Sequence, residues 1–219
     1  MLKTKKWVPD EMWNSRFSFS QFGEDLVLAS LFHRNNISQG SFVDVGAFHP
    51  IKLSNTYFFY RQGWRGVNVE PNPEGFRLFL DMRPADINLN CAISQACGEV
   101  EFVCDSAFSG INGPKYAFRS GNPAPKIINI QSKPLRDIFA ENLNGVQITF
   151  LSTDCEGYDL EVLQSNAWDK YRPLVILTEL QGQKKGGQIF DYLADVGYEF
   201  YVKIGLTGFF IQKEYSWIY

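Results

Sequence analysis

The sequence predicts an α/β fold, a mainly parallel sheet carrying helices on both faces. Three observations predict it. Short apolar runs with strand character alternate with longer segments of helical pattern. Glycine and proline fall mostly between those segments or at their ends. The spacing leaves room for a helix between most successive strands, which is the signature of parallel pairing.

The elements follow in order. Gly23-Glu24-Asp25 opens a helix over 26–34, because acids suit the positive end of the helix dipole. Ser41 to Val45 reads as a buried strand stopped by Gly46. A helix over 55–62 ends at Gly63, and a second strand, 66–70, is stopped by Pro71 and Pro73. Pro73 opens a helix through Phe76, Phe79 and Leu80, and 87–93 is a third strand. The alternation then breaks. Strands over 100–104 and 127–131 bracket an irregular stretch, 106–126, rich in Gly, Pro, Ser and Asn. It resumes with a helix over 134–142, a strand over 146–152, a helix over 158–164 and a strand over 173–179. A helix over 189–196, closed by Gly197, leads to strands 200–204 and 209–212, near enough to form an antiparallel hairpin. Residues 1–19 read as an N-terminal extension and 20–219 as a single domain with its insertion at about 100–131.

Composition removes several function classes. Lys and Arg number 21 against 24 Asp and Glu, a net charge of −3 with no basic run, which argues against a nucleic-acid face. No apolar run approaches the ~18 residues of a membrane helix, and residues 1–14 hold Lys3, Lys5 and Lys6 without the apolar core of a secretory signal. Cys91, Cys97, Cys104 and Cys155 form no C-x-x-C pair, and a chain with a full core has no need of a disulfide framework. Reduced thiols in a cytoplasmic setting follow. Aromatic residues are 16% of the chain, more than core packing alone predicts.

In a parallel sheet of this kind a ligand sits beyond the carboxyl ends of the strands. Four loops therefore converge there: 46–50, 70–71, 154–157 and 179–181. Asp44 and Gly46 end the first strand, and Glu70 ends the second. A carboxylate at that place can accept both hydroxyls of a ribose, and Gly46 lets backbone approach the ligand. A surface acid after an ordinary strand and turn would look the same. Gly46 is followed by Ala47-Phe48-His49-Pro50, so the second and third glycines of a dinucleotide fingerprint are missing. One glycine with an acid after strand two suits S-adenosylmethionine, which has a ribose and no phosphate.

Asp154 and Glu156 follow strand four, and Glu179 ends strand five. These acids are candidates for orienting or deprotonating an acceptor, with His49, whose ordinary pKa is near ~6.5, as a further base. Helix capping by Asp154 or Glu156 and a backbone-bonded His49 are the competing readings. Three carboxylates with His49 could also bind a hard divalent cation, and no metal ligand is assigned. His33 lies within the first helix and reads as structural, and Cys155 as a buried small residue.

The chain resembles the FkbM-type S-adenosylmethionine-dependent methyltransferases. The resemblance rests on Ser20-Gln21-Phe22-Gly23-Glu24-Asp25, on 42–50, on Ser54-Asn55-Thr56-Tyr57, on 63–73, on Asn90-Cys91-Ala92-Ile93-Ser94 and on Asp154-Cys155-Glu156-Gly157-Tyr158-Asp159. It extends from Ser20 to about Lys213. It implies a Rossmann-like class I methyltransferase, with a mostly parallel seven-stranded sheet, an antiparallel last strand and an insertion between strands three and four. It also implies methyl transfer from S-adenosylmethionine to a hydroxyl of a sugar, glycan or other natural product. By position it places Gln21, Asp44, Gly46, Ala47, Asn55, Glu70, Pro71, Cys91, Ala92 and Asp154 at the cofactor, with Gly46 toward the methionine end, Cys91-Ala92 beside the adenine and 21–25 folded over it. A nicotinamide-dependent oxidoreductase and a non-catalytic nucleoside-binding domain are the alternatives. The aromatics Phe108, Tyr116 and Phe118 in the insertion are candidates for stacking on the acceptor.

Overall fold

The computed structural model describes residues 16–104, 109–111, 126–180 and 183–218. Phe108, Tyr116 and Phe118, and with them the proposed acceptor stacking, lie outside these residues, as do Gln181 and most of the predicted irregular stretch.

The elements are α1 (Glu24–Arg34), β1 (Ser41–Val45), α2 (Tyr57–Arg61), β2 (Arg65–Val69), α3 (Pro73–Met82), β3 (Ile87–Leu89), β4 (Ala92–Ile93), β5 (Gly98–Cys104), β6 (Gly110–Ile111), β7 (Lys126–Lys133), α4 (Leu135–Asn142), β8 (Ile148–Thr153), α5 (Asp159–Gln164), β9 (Val175–Glu179), α6 (Gln183–Asp195), β10 (Tyr198–Ile204) and β11 (Thr207–Gln212). Seven strands form one sheet in the order β10-β11-β9-β8-β1-β2-β3. β1 pairs parallel with β2 and β8, β8 with β9, and β2 with β3. β11 runs antiparallel to both of its neighbours. The α/β class, the mainly parallel sheet, the antiparallel last strand and the terminal hairpin thus match the reading of the sequence.

β1 shows why the sheet is covered on both sides. Phe42 joins Leu28, Leu31, Phe32 and Phe59 of α1 and α2, while Val43 and Val45 join residues of α4, α5 and α6. Successive strand residues point to opposite faces, so a strand buried on both sides is apolar on both, and here only Ser41 and Asp44 depart from that. The aromatic-rich stretch 57–64 buries Phe59 and Trp64 here. Phe59 and Trp64 sit 4.9 Å apart by ring centroids, and Phe32 and Trp64 5.4 Å. Each fully buried ring contributes about 1.5–3 kcal/mol.

Two expectations are corrected. The predicted third strand, 87–93, is two strands in different sheets. Asn90 turns the chain between them, its Nδ2 donating to the carbonyls of Glu70 and Pro71 at 2.9 Å. β3 stays in the large sheet, whereas β4 pairs with β7 in a second sheet of order β4-β7-β5-β6. Helix α6 begins six residues before the predicted start at Ile189, because Gly186-Gly187 reads locally as a helix breaker. The helix tolerates that pair, and Ile189 and Leu193 are buried against the sheet.

Candidate active site

A cavity of about 260 Å³ lies beyond the carboxyl ends of β1, β2, β8 and β9. It is where the chain switches from building outward through β2 and β3 to building through β8 and β9. The second sheet closes one wall through Phe102, Gly110 and Ile111. Of the predicted cofactor residues, Gln21, Asp44, Gly46, Ala47, Asn55, Glu70, Pro71, Ala92 and Asp154 line it. Of the predicted catalytic residues, Asp154, Glu156 and Glu179 line it. Cys91 is packed into the core under β4 instead, with burial pushing its thiol up to about 11. His49 stands outside the lining. Its Nδ1 accepts the backbone N–H groups of Ile51 at 3.0 Å and Lys52 at 3.1 Å, which makes it the organiser of its own loop.

Backbone strain marks the same place. Among the described residues four hold positive φ without being glycine; Phe48, Leu53 and Glu156 line the cavity, and Asn36 lies just after α1. Such conformations persist only where surrounding contacts enforce them. Glu156-Gly157 is held in part by Asp159, the first residue of α5, whose carboxylate accepts the Cys155 N–H at 3.3 Å. Asp159 is fully buried, and desolvation raises its pKa to about 6.

The electrostatics are one-sided. Asp44, Glu70, Asp154, Glu156 and Glu179 line the cavity, and no Lys, Arg or His among the described residues does. Glu70 is buried, with Oε2 accepting the Phe48 N–H at 2.6 Å and Oε1 the Asn72 N–H at 2.7 Å. Each oxygen keeps a further lone pair for a ligand hydroxyl. Burial raises Glu70 to about 7 in spite of those bonds. Asp154 has exposed surface, but that surface opens into the cavity. Desolvation, and then the neighbouring charges of Glu179, Asp159, Glu156 and Asp44, push its pKa well above the usual carboxylate range. Burial likewise lifts the Cys155 thiol, next to the same acids, so it is no thiolate nucleophile. Among the described residues no group of His, Cys, Asp or Glu is arranged to hold a metal ion.

The segment over 16–23 is tied beside the mouth. Asp25 is fully buried at the start of α1, where it does more than complement the helix dipole. Its Oδ1 accepts Ser18 Oγ at 2.6 Å and Ser20 Oγ at 3.0 Å, and its Oδ2 accepts the Phe19 N–H at 2.7 Å. Phe19 in turn accepts the Ser54 N–H at 2.9 Å, and Phe22 lies over Gly205. Asp25→Ala is therefore expected to release this strap at a cost of about 2–4 kcal/mol, since hydrogen bonds to charged groups are worth ~1.5–3 kcal/mol each and are not additive. Limited proteolysis checks it: cleavage within 16–23 should accelerate at temperatures where the rest of the chain stays intact.

The fold and cavity together define an α/β protein whose ligand site is an acidic cleft at the topological switch point of the sheet. The methyltransferase FkbM domain matches residues 44–200. The chain belongs to the FkbM methyltransferase family. A comparison with curated proteins finds none that matches it. Among the described residues no helix is long and apolar enough to cross a membrane.

Proposed function

We propose that the protein is an S-adenosylmethionine-dependent O-methyltransferase of Rossmann-like class I architecture, formed by residues 20–219 as one domain. The observation that carries this reading is the charge of the cavity. A sulfonium and an ammonium are both cations, and a lining of five carboxylates with no Lys, Arg or His among the described residues favours them. The same lining repels the pyrophosphate of a nicotinamide dinucleotide, which needs backbone amides or cations around it. Glu70 would hold the ribose, Ala92 and Ile93 would border the adenine, and Asp44 and Gly46 would meet the methionine end.

When bound, the cofactor supplies a methyl group already activated for in-line displacement. The chain has two tasks. It must align the acceptor, which in favourable systems contributes about 7–11 kcal/mol, and it must take the hydroxyl proton as the new bond forms. Asp154 and Glu179 would take the second task, with Glu156 orienting the acceptor across from Gly110 and His49 holding the loop. The acceptor class supported is a neutral small molecule or glycan hydroxyl. The four cysteines are free, in keeping with a cytoplasmic setting.

Calorimetry tests the reading. S-adenosylhomocysteine should bind at micromolar concentration and NADH should not; the reverse result sinks it. Binding should also strengthen as pH rises through about 7. Glu70 is raised in the folded protein, so below that pH its fork is protonated and one acceptor position is lost. The proton released on binding should show as a buffer-dependent heat. The same shift has a sign for stability. Between the ordinary value of 4.5 and about 7 the folded state holds the extra proton, so Glu70's contribution to stability falls as pH rises through that window.

A further inference from the structure

Beneath the cavity lies a cation that the site does not touch. Arg83 follows α3 and is fully buried. Its Nη2 lies 2.7 Å from Asp86 Oδ2, and its Nε donates to the same oxygen at 2.8 Å. Its guanidinium carbon sits 4.9 Å from the ring centroid of Tyr60 and 5.1 Å from that of Phe42. Asp86 also accepts the Gly66 N–H at 3.1 Å and Asn68 Nδ2 at 3.2 Å. The ion pair neutralises both charges and satisfies the carboxylate, while Nη2 makes no hydrogen bond in spite of its close approach.

Arg83 nevertheless extends Nη1 the other way, to Thr56 Oγ1 at 2.8 Å. Arginine only donates, so the Thr56 oxygen accepts there and its single proton is free to go elsewhere. Asp44 Oδ2 is 2.8 Å away and Ser54 Oγ is 3.2 Å. The shorter contact to the charged acceptor takes the proton. The direction of the chain is thereby set: guanidinium to hydroxyl to carboxylate. Its last member, Asp44, lines the cavity.

We propose that Arg83 and Thr56 are positioning residues, a buried relay that holds the Asp44 carboxylate in place as the counter-charge for the cationic end of the methyl donor. This rests on the methyl-donor reading above. The relay answers a need the cavity creates. Burial lifts the Asp44 pKa, and the charge of Arg83 and the hydroxyls of Thr56 and Ser152 oppose that lift. The other groups acting on Asp44 are acids: Asp86 beneath it, and Glu70 and Asp154 at the cavity. Without the relay every other charge near Asp44 would favour its protonated, uncharged form.

Thr56→Val keeps the shape of the buried side chain and removes the hydroxyl. Affinity for S-adenosylhomocysteine, whose ammonium is the probe, would be measured by calorimetry at pH 6.5, 7.5 and 8.5 beside thermal melts. T56V should bind about tenfold more weakly at the lowest pH, the size of one hydrogen bond to a charged group. The deficit should shrink as pH rises and Asp44 ionises without help. T56S should restore most of the loss at every pH. Should T56V fail to fold, T56C, with its weak S–H donor, carries the same expectation. Wild-type affinity in the variant, or a deficit equal at all three pH values, overturns the relay. A wild-type protein that binds no S-adenosylhomocysteine overturns the methyl-donor reading instead.

Discussion

Gly46→Ala is expected to weaken cofactor binding by about a hundredfold or more and to lower stability by about 2–5 kcal/mol, and two separate causes converge on the stability figure. Gly46 has φ of 75°, the left-handed region, where an L side chain costs roughly 1–2 kcal/mol. A Cβ there would also run into the backbone carbonyl oxygen of Asp154. Overpacking against backbone, which cannot rotate away, adds ~1–3 kcal/mol. Relief requires the loop after β1 to part from the loop after β8. These are the two loops that bracket the cavity, tied at present by the Asp154 N–H to Val45 carbonyl bond at 3.0 Å. A shift of about an ångström at a binding constellation is worth on the order of a hundredfold. Calorimetry with S-adenosylhomocysteine should therefore show at least about that loss. A melt should fall by roughly 5–20 °C for a chain of this size. A variant that melts lower but binds normally would mean that the loops part without disturbing the site.

Gly46 also shows what the sequence makes legible. A mostly apolar strand stopped by glycine, with an acid one strand later, is a local pattern, and the residues that carry it, Asp44, Gly46 and Glu70, line one cavity. The mainly parallel sheet followed from the same source, since strand-helix-strand spacing restricts the connections. What stayed hidden depended on distant partners. Nothing local says that Asn90 bonds the Glu70 and Pro71 carbonyls and so sends β3 and β4 into different sheets. Nothing local distinguishes Asp25, a buried acceptor of three bonds, from an ordinary acid in a first helical turn. Arg83 passes unnoticed because an arginine after a helix is usually solvated, and only its burial under Tyr60 and Phe42 shows otherwise. His49 and Cys91 are the converse. Each stands in a motif close to the cavity, yet its loop turns His49 to backbone and the link between β3 and β4 turns Cys91 to the core.

Asp154→Asn should lower kcat by about 10²–10⁴-fold, the range for loss of a positioned general base, while leaving affinity for S-adenosylhomocysteine within a few fold. The reason lies in the company Asp154 keeps. A carboxylate in water is too weak a base to help an alcohol. Desolvation together with Glu179, Asp159, Glu156 and Asp44 makes this one a stronger base once it has lost its proton. The amide keeps the shape and the hydrogen-bonding reach but cannot take a proton. The wild-type rate should then climb with pH as the acid set ionises, and D154N should lose that limb of the profile. Titration belongs to the coupled group rather than to one residue, so Glu179→Gln should move the limb to lower pH by removing a neighbouring charge. Should kcat and cofactor affinity fall together in D154N, Asp154 is a cofactor ligand and the base lies elsewhere on the rim. Should E179Q leave the limb where it is, the two carboxylates act independently. Both experiments read the same physical claim, that the acids crowded beyond β8 and β9 trade stability in the unliganded protein for basicity at the place where an acceptor hydroxyl must give up its proton.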